Sequence, residues 1–173
     1  MRLHTGLALL AVISLSACKT MNLPAAAAVA NLEPRSGSNV RGTVEFQQLP
    51  TGVRAHVELT GLVPGSEHGF HVHEKGDCAA GDAMSAGGHF NPTTLAHGRT
   101  SERIHHAGDL PSLVADAAGK VSTDVKLSGV TLDAGPASFI GRAVIVHANA
   151  DDFTTQPSGN SGARVACGVI NAK

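Results

Sequence analysis

Hydrophobic and polar positions alternate with a period of two over most of the patterned part of this 173-residue chain. In Val53–Thr60, Val53, Ala55, Val57 and Leu59 fall on one side, while Arg54, His56 and Glu58 fall on the other. That is the mark of a strand with one buried face. Val40, Val44 and Phe46 share a face within Val40–Gln48, and Pro50 with Gly52 predicts a turn between the two segments. Val121–Leu127 repeats the alternation after a turn at Ala118-Gly119-Lys120. Ala143–Ala148 and Val165–Ile170 are apolar runs of strand length, and no long segment carries a 3.6 period. The pattern predicts an all-β, antiparallel sandwich or barrel. By composition alone, Ala25–Ala30 reads as tether together with the preceding Lys19–Pro24.

One region departs from this pattern. Residues 74–110 hold few apolar side chains and much Gly and His. A loop of that length cannot hold itself by burial, so it needs a crosslink or a metal. Just before it, His71 and His73 lie two apart on an expected strand, so both imidazoles project to the same face. His89 follows the run Ser85-Ala86-Gly87-Gly88, and His97, His106 and Asp109 come next at spacings of 8, 9 and 3. Three histidines and a carboxylate make a complete tetrahedral set for zinc. His147 ends the apolar run Val144-Ile145-Val146 and joins His71 and His73 in an imidazole-rich set suited to copper. His105 competes with its neighbour His106, and spacing favours His106. Isolated histidines of exported proteins are usually solvated, which is the expectation for His56 and His68, and Asp152 beside Asp151 is expected to be solvated too.

The N-terminus supplies the export. Arg2 and His4 precede an apolar stretch, Thr5–Leu15, too short to span a bilayer. Leu15-Ser16-Ala17-Cys18 resembles the bacterial lipobox, in which the Cys is acylated and becomes the first mature residue. Residues 1–17 are therefore expected to be a lipoprotein signal peptide and 18–24 a lipidated tether, with residues 25–173 forming the domain. Lys19 stands where a retention signal would place Asp, which points to a periplasm-facing lipoprotein of the cell envelope at the outer membrane. If Cys18 carries lipid, Cys78 and Cys167 remain as a candidate pair in an oxidising compartment, the alternative being two buried free thiols. The net charge is −1 with His neutral, and loss of Arg2 makes it one unit more negative. No basic footprint for nucleic acid is present, and the absence of Trp and Tyr argues against base-stacking platforms.

GFHVHEKGDC (69–78), GGHFNP (87–92), HHAGDL (105–110), IGRAVIVHANADD (140–152) and GNSGARVACGVI (159–170) together resemble copper/zinc superoxide dismutase of the bacterial periplasmic type. The likeness runs from about residue 26 to 171 with the motifs in order. It implies an eight-stranded antiparallel Greek-key β-barrel or flattened sandwich with long metal-binding loops, and it moves Ala26–Glu33 from the tether to the first strand. It implies copper on His71, His73, His89 and His147, and zinc on His89, His97, His106 and Asp109, one ion of each per subunit. His89 is then an imidazolate bridge. Asp151 matches a carboxylate that orients a ligand of each metal, Arg164 the arginine of the anion channel, and Ser158 a position where the family often has Thr. Cys78 and Cys167 match the intrasubunit disulfide.

The implied reaction is disproportionation of superoxide by Cu(II)/Cu(I) cycling, with His89 and Arg164 as the catalytic side chains. Thr154–Ala163 carries no charge, so steering of the anion falls to Lys75 and Arg164. The expected partners are superoxide and a membrane held through Cys18, with the domain a monomer or homodimer. Two other classes stand beside this reading: a non-enzymatic copper/zinc-binding lipoprotein, and a structural lipoprotein whose site has decayed.

Overall fold

The computed structural model describes residues 27–173, so the expected leader (1–17), Cys18 and the expected tether (18–24) lie outside the described residues. Ten strands follow in chain order: β1 (Ala27–Pro34), β2 (Arg41–Leu49), β3 (Gly52–Thr60), β4 (Glu67–His68), β5 (Phe70–His73), β6 (Leu113–Val114), β7 (Val121–Leu127), β8 (Ala143–His147), β9 (Arg164–Val169) and β10 (Asn171–Ala172). Eight of them form one curled antiparallel sheet in the order β5-β8-β9-β1-β2-β3-β7, with β10 also paired to β1. The short β4 and β6 pair separately. The all-β class is as the alternation predicts, and β1 takes in residues 27–30 of the Ala-rich run that composition assigned to tether. Alanines at 28 and 30 are fully buried there, because small side chains let the strand pass close under its neighbours.

The alternation in β3 translates directly into burial. Val53, Ala55, Val57 and Leu59 are buried, and they face Phe46, Val121, Val125 and Leu127 in a single apolar core. Phe139 sits centrally, edge-on to Phe46 at 6.2 Å and to Phe90 at 6.1 Å. These T-shaped contacts suit the ring quadrupoles.

Strand β8 is buried on both faces, which explains its unbroken apolar run. Val144 and Val146 enter the main core. Ala143 and Ile145 point outward into a second cluster with Cys167, Ala83 and Ala86. Cys78 and Cys167 form a disulfide with Cα atoms 5.8 Å apart, so the loop after β5 is fastened to β9 over that second cluster. The Arg35 guanidinium adds two hydrogen bonds to the Cys78 carbonyl, 3.0 Å from Nε and 2.7 Å from Nη2.

The outer edge of β5 is covered by the long loop itself. His71 and Asp109 form one isolated antiparallel bridge, and His73 and His89 another. Main-chain bonds from Val72 N to Gly108 O and from Phe90 N to Val72 O, both 2.8 Å, make this contact. Gly108 is required for it, since a Cβ there would run into Val72 O and Phe90 N. The edge that would otherwise invite another strand is thereby used to seat the loop's functional side chains.

Candidate metal centre

Strand β5 sends Phe70 and Val72 into the core and turns His71 and His73 toward the loop. The bridges along its edge bring His89 and Asp109 alongside. His147 arrives at a register irregularity where β8 leaves β9. His71, His73, His89 and His147 are all buried, and one ring nitrogen from each lies within 4.8 Å of the others.

The second nitrogen of each ring has a partner. His71 Nε2 donates to Asp151 Oδ2 at 2.7 Å, His73 Nδ1 to Gly87 O at 2.9 Å, and His147 Nδ1 to Gly162 O at 3.3 Å. His89 Nδ1 lies 2.8 Å from Asp109 Oδ1. Among the described residues, five buried side-chain polar atoms lack any partner within the protein, and four of them are His71 Nδ1, His73 Nε2, His89 Nε2 and His147 Nε2. The fifth is Ser112 Oγ. Four buried lone pairs with a common target are costly unless a cation meets them, and nitrogen donors of this kind suit copper. Burial lowers all four rings' affinity for protons: His73 and His147 lie well below the ordinary histidine value, His71 below it, and His89 at about 4. The rings are therefore neutral at pH 7, the form in which a ring nitrogen can accept a cation.

A second group is built on the same His89 ring. His89 Nδ1, His97 Nδ1 and His106 Nδ1 surround Asp109 Oδ1 at 2.8, 2.9 and 3.2 Å, and the His89 and His106 nitrogens are 3.4 Å apart. A tetrahedral ion with ligand bonds of about 2.0–2.1 Å has ligand–ligand edges of about 3.3 Å, so the donor set fits zinc. Asp109 Oδ2 is occupied by His106 N at 2.8 Å and Gly98 N at 3.1 Å, which leaves Oδ1 to face the nitrogens. Burial opposes ionisation of Asp109, but hydrogen bonds with His106, His89 and His97 overcome it and hold the carboxyl far below the usual range. His106 belongs to this group and His105 does not. The His105 ring turns away and donates from Nδ1 to His106 O at 2.7 Å.

Asp151 joins the two groups from behind. Its Oδ2 accepts from His71 and its Oδ1 accepts from His97 Nε2 at 2.9 Å, so one carboxylate orients a ring of each set. Gly159, at φ +65°, leaves room for this, because a Cβ there would meet Asp151 Oδ1 and His97 Nε2. Burial depresses His97, yet its bonds to Asp109 and Asp151 outweigh burial and raise it to about 9. Asp152 is exposed as expected, though it also accepts hydrogen bonds from Thr154 N and Thr155 N at 2.9 and 2.8 Å.

An open cavity of about 540 Å³ reaches the first group, with His73, His89, His147, Ser158 and Arg164 in its wall. Arg164 is half-buried, and it donates to Ala83 O at 2.8 Å and to Gly87 O at 2.7 Å. Lys75 is exposed and does not line this cavity, whereas Asp82, which composition did not single out, does.

Two histidine expectations resolve differently. His56 is outward, between Glu58 and Asp124, as the alternation predicts. His68 is buried, contrary to the expectation of a solvated ring. Its Nδ1 lies 2.7 Å from His147 O and its Nε2 2.6 Å from Ser66 Oγ, so it braces the backbone of a histidine in the first group.

A sequence profile of the family described as copper/zinc superoxide dismutase (SODC) matches residues 40–170. Superoxide dismutase-like protein YojM of Bacillus subtilis (strain 168) is 43% identical over 141 residues, covering 79% of this chain and 71% of that protein. A Cu-Zn superoxide dismutase 2 of Aquifex aeolicus (strain VF5) is 37% identical over 160 residues, covering 90% and 91%. The crystal structure of a SOD-like protein from Bacillus subtilis matches with a TM-score of 0.74 at 40% identity, over 81% of this chain and 95% of that one.

Proposed function

This chain belongs to the copper/zinc superoxide dismutase family, and on that premise we propose that it converts superoxide to oxygen and hydrogen peroxide. Two superoxide anions and two protons yield one molecule of each product. When bound, copper supplies the one-electron chemistry by cycling between Cu(II) and Cu(I), while zinc is redox-inert.

The chain's own residues do the rest. His71 Nδ1, His73 Nε2, His89 Nε2 and His147 Nε2 would hold copper, and His89 Nδ1, His97 Nδ1, His106 Nδ1 and Asp109 Oδ1 would hold zinc. With Nδ1 kept in the zinc set, His89 Nε2 is the atom that takes up a proton and passes it to the substrate. Arg164 attracts and orients the small anion in the cavity, its guanidinium fixed by two carbonyls. Asp151 keeps His71 and His97 in step. The disulfide holds the loop that carries Gly87.

The observation that carries this reading is the convergence of four unpartnered imidazole nitrogens beside an open cavity, one of them on the ring shared with the second set. Superoxide consumption followed by pulse radiolysis, with the protein loaded with copper and zinc and again after chelation, tests it. Turnover only in the loaded protein is the expected result. Full loading without turnover would favour the second reading, a non-enzymatic copper/zinc-binding lipoprotein. We also propose that residues 1–17 are removed, that Cys18 carries lipid, and that a tether of residues 18–24 presents the domain, residues 25–173, to the periplasm from the outer membrane. The Leu15-Ser16-Ala17-Cys18 motif supports this placement.

A further inference from the structure

His97 differs from the other members of the zinc group in how its main chain is held. His89 and Asp109 lie in bridges beside β5, and the His106 carbonyl accepts from Asp109 N at 3.1 Å. His97 lies between turns, on no strand. Among the described residues, both of its backbone groups are met by one side chain. His97 N donates to Gln156 Oε1 at 2.9 Å, and Gln156 Nε2 donates to His97 O at 3.0 Å. An amide that both accepts and donates in this way reproduces one rung of an antiparallel ladder. Because His97 is buried, losing the rung would leave an N–H and a C=O without partners.

The clamp also has a far side. Gln156 follows Asp151 in the same loop, and the next two residues, Pro157 and Ser158, stand in the cavity wall with Arg164. The Asp151 carboxylate holds the His97 ring, and the Gln156 amide holds its backbone. One loop therefore fixes this histidine at two points while it forms the wall past which the anion enters.

We propose that Gln156 is a positioning residue for the zinc site, setting the His97 main chain so that Nδ1 faces His89, His106 and Asp109. This rests on the zinc assignment made above. It predicts that zinc retention depends on an exposed side chain that touches no zinc ligand atom. Partners one step behind a metal ligand typically matter by about 10–100-fold in affinity. Gln156→Glu keeps the acceptor but sets a carboxylate oxygen against the His97 carbonyl, and Gln156→Ala removes both bonds.

The test is zinc release from the copper- and zinc-loaded protein to a chromophoric chelator, run beside copper release to a Cu(I)-specific chelator in the presence of ascorbate as reductant. Both variants are expected to release zinc about tenfold faster or more while copper release stays at the wild-type rate. Cobalt(II) loaded in place of zinc should show a shifted visible spectrum in Gln156→Ala, reporting altered ligand geometry. Wild-type zinc release in both variants would overturn the proposal. So would parallel loss of zinc and copper with a lowered denaturation midpoint, because that describes general loosening. His97→Ala is the control: if it keeps zinc as the wild type does, the zinc assignment itself has failed, and that failure is distinct from failure of the clamp alone.

Discussion

His73 and Arg164 share one acceptor, the carbonyl oxygen of Gly87, at 2.9 Å from His73 Nδ1 and 2.7 Å from Arg164 Nη2. The proposed copper ligand and the proposed anion-binding side chain are thus registered on the same atom. The family resemblance implied a role for Arg164 on the anion. The second bond, to Ala83 O, shows that it also braces the loop. Arg164→Lys should therefore keep a positive charge yet lose the two-point clamp, giving a rate between those of wild type and Arg164→Gln. The Gln variant is expected to lose about tenfold and the Glu variant about a hundredfold, since electrostatic attraction of this kind contributes about 10–1,000-fold to on-rates. Rates measured at matched copper and zinc content, at low and high salt, check this. Equal rates for all four proteins would reduce Arg164 to a brace.

The disulfide closes a span of 89 residues in sequence and covers the apolar cluster of Ala83, Ala86, Ala143 and Ile145. On the chain-entropy model a loop of that size contributes about 4–5 kcal/mol. Paired substitution of Cys78 and Cys167 by Ser should lower the urea midpoint accordingly. It should also cut turnover, because the same loop carries Gly87. Thiol titration of the denatured, unreduced protein should find neither cysteine free.

Much of this was legible in the chain. Strand β3 announces itself through Val53, Ala55, Val57 and Leu59, whose large hydropathy contrast with Arg54, His56 and Glu58 fixes the register. Strand β1 does not, because alanine carries little contrast and a run of it reads as linker; only resemblance to known relatives placed it. Two residues apart on a strand, His71 and His73 had to point together. The sharing of His89 could not be read from spacing, since it depends on the two nitrogens of one ring meeting different neighbours. His68 was misread because a lone histidine has no pattern, and its burial is decided by a carbonyl 79 positions away. Gln156, Gly87 and Ala83 were silent for a related reason: their roles run through backbone groups, which every residue possesses.

Protonation gives the metal-free protein two opposing arms in its stability profile. His71, His73, His89 and His147 have folded values lowered by burial, to about 4 for His89, so the stability that depends on their neutrality is present above about pH 6.5 and lost as pH falls below it. His97 is raised to about 9 by Asp109 and Asp151 against the effect of burial, so its contribution is complete below about pH 6.5 and disappears as pH rises through 9. Chelator-treated protein should therefore show urea midpoints that fall on both sides of about pH 6.5. His97→Gln should flatten the alkaline arm alone. Zinc loading should flatten it too, because the ligand nitrogen no longer carries a proton. A midpoint that kept rising through pH 9 would contradict this account of His97.

Lipidation of Cys18 can be separated from everything within residues 27–173. Two or more acyl chains anchor stably where one does so only marginally. Cys18→Ser should abolish lipid labelling and membrane fractionation while leaving turnover of the loaded protein unchanged. Equal membrane retention in the variant would remove the anchor from this account.

The two metals should part company under mutation, because among the described residues His89 alone offers ring nitrogens to both four-member sets. His147 contributes Nε2 to the first group, and its other nitrogen is committed to Gly162 O. His147→Ala should therefore lose most copper and nearly all turnover while zinc content holds. Asp109 does the reverse: its Oδ1 faces the three imidazoles of the second group, and its Oδ2 ties down the backbone at His106 and Gly98. Asp109→Ala should lose zinc and, with both oxygens gone, destabilise the loop by several kcal/mol, as removal of one partner from a buried charge network does (about 3–5 kcal/mol). Some copper-dependent turnover should survive, since His71, His73 and His147 are seated by strands and not by Asp109. His105→Ala should change neither metal, in contrast to His106→Ala, because the His105 ring meets the His106 backbone carbonyl and offers no nitrogen to the group. Metal analysis of the four purified variants decides the matter, and unchanged zinc in Asp109→Ala would mean that the fourth zinc ligand lies elsewhere.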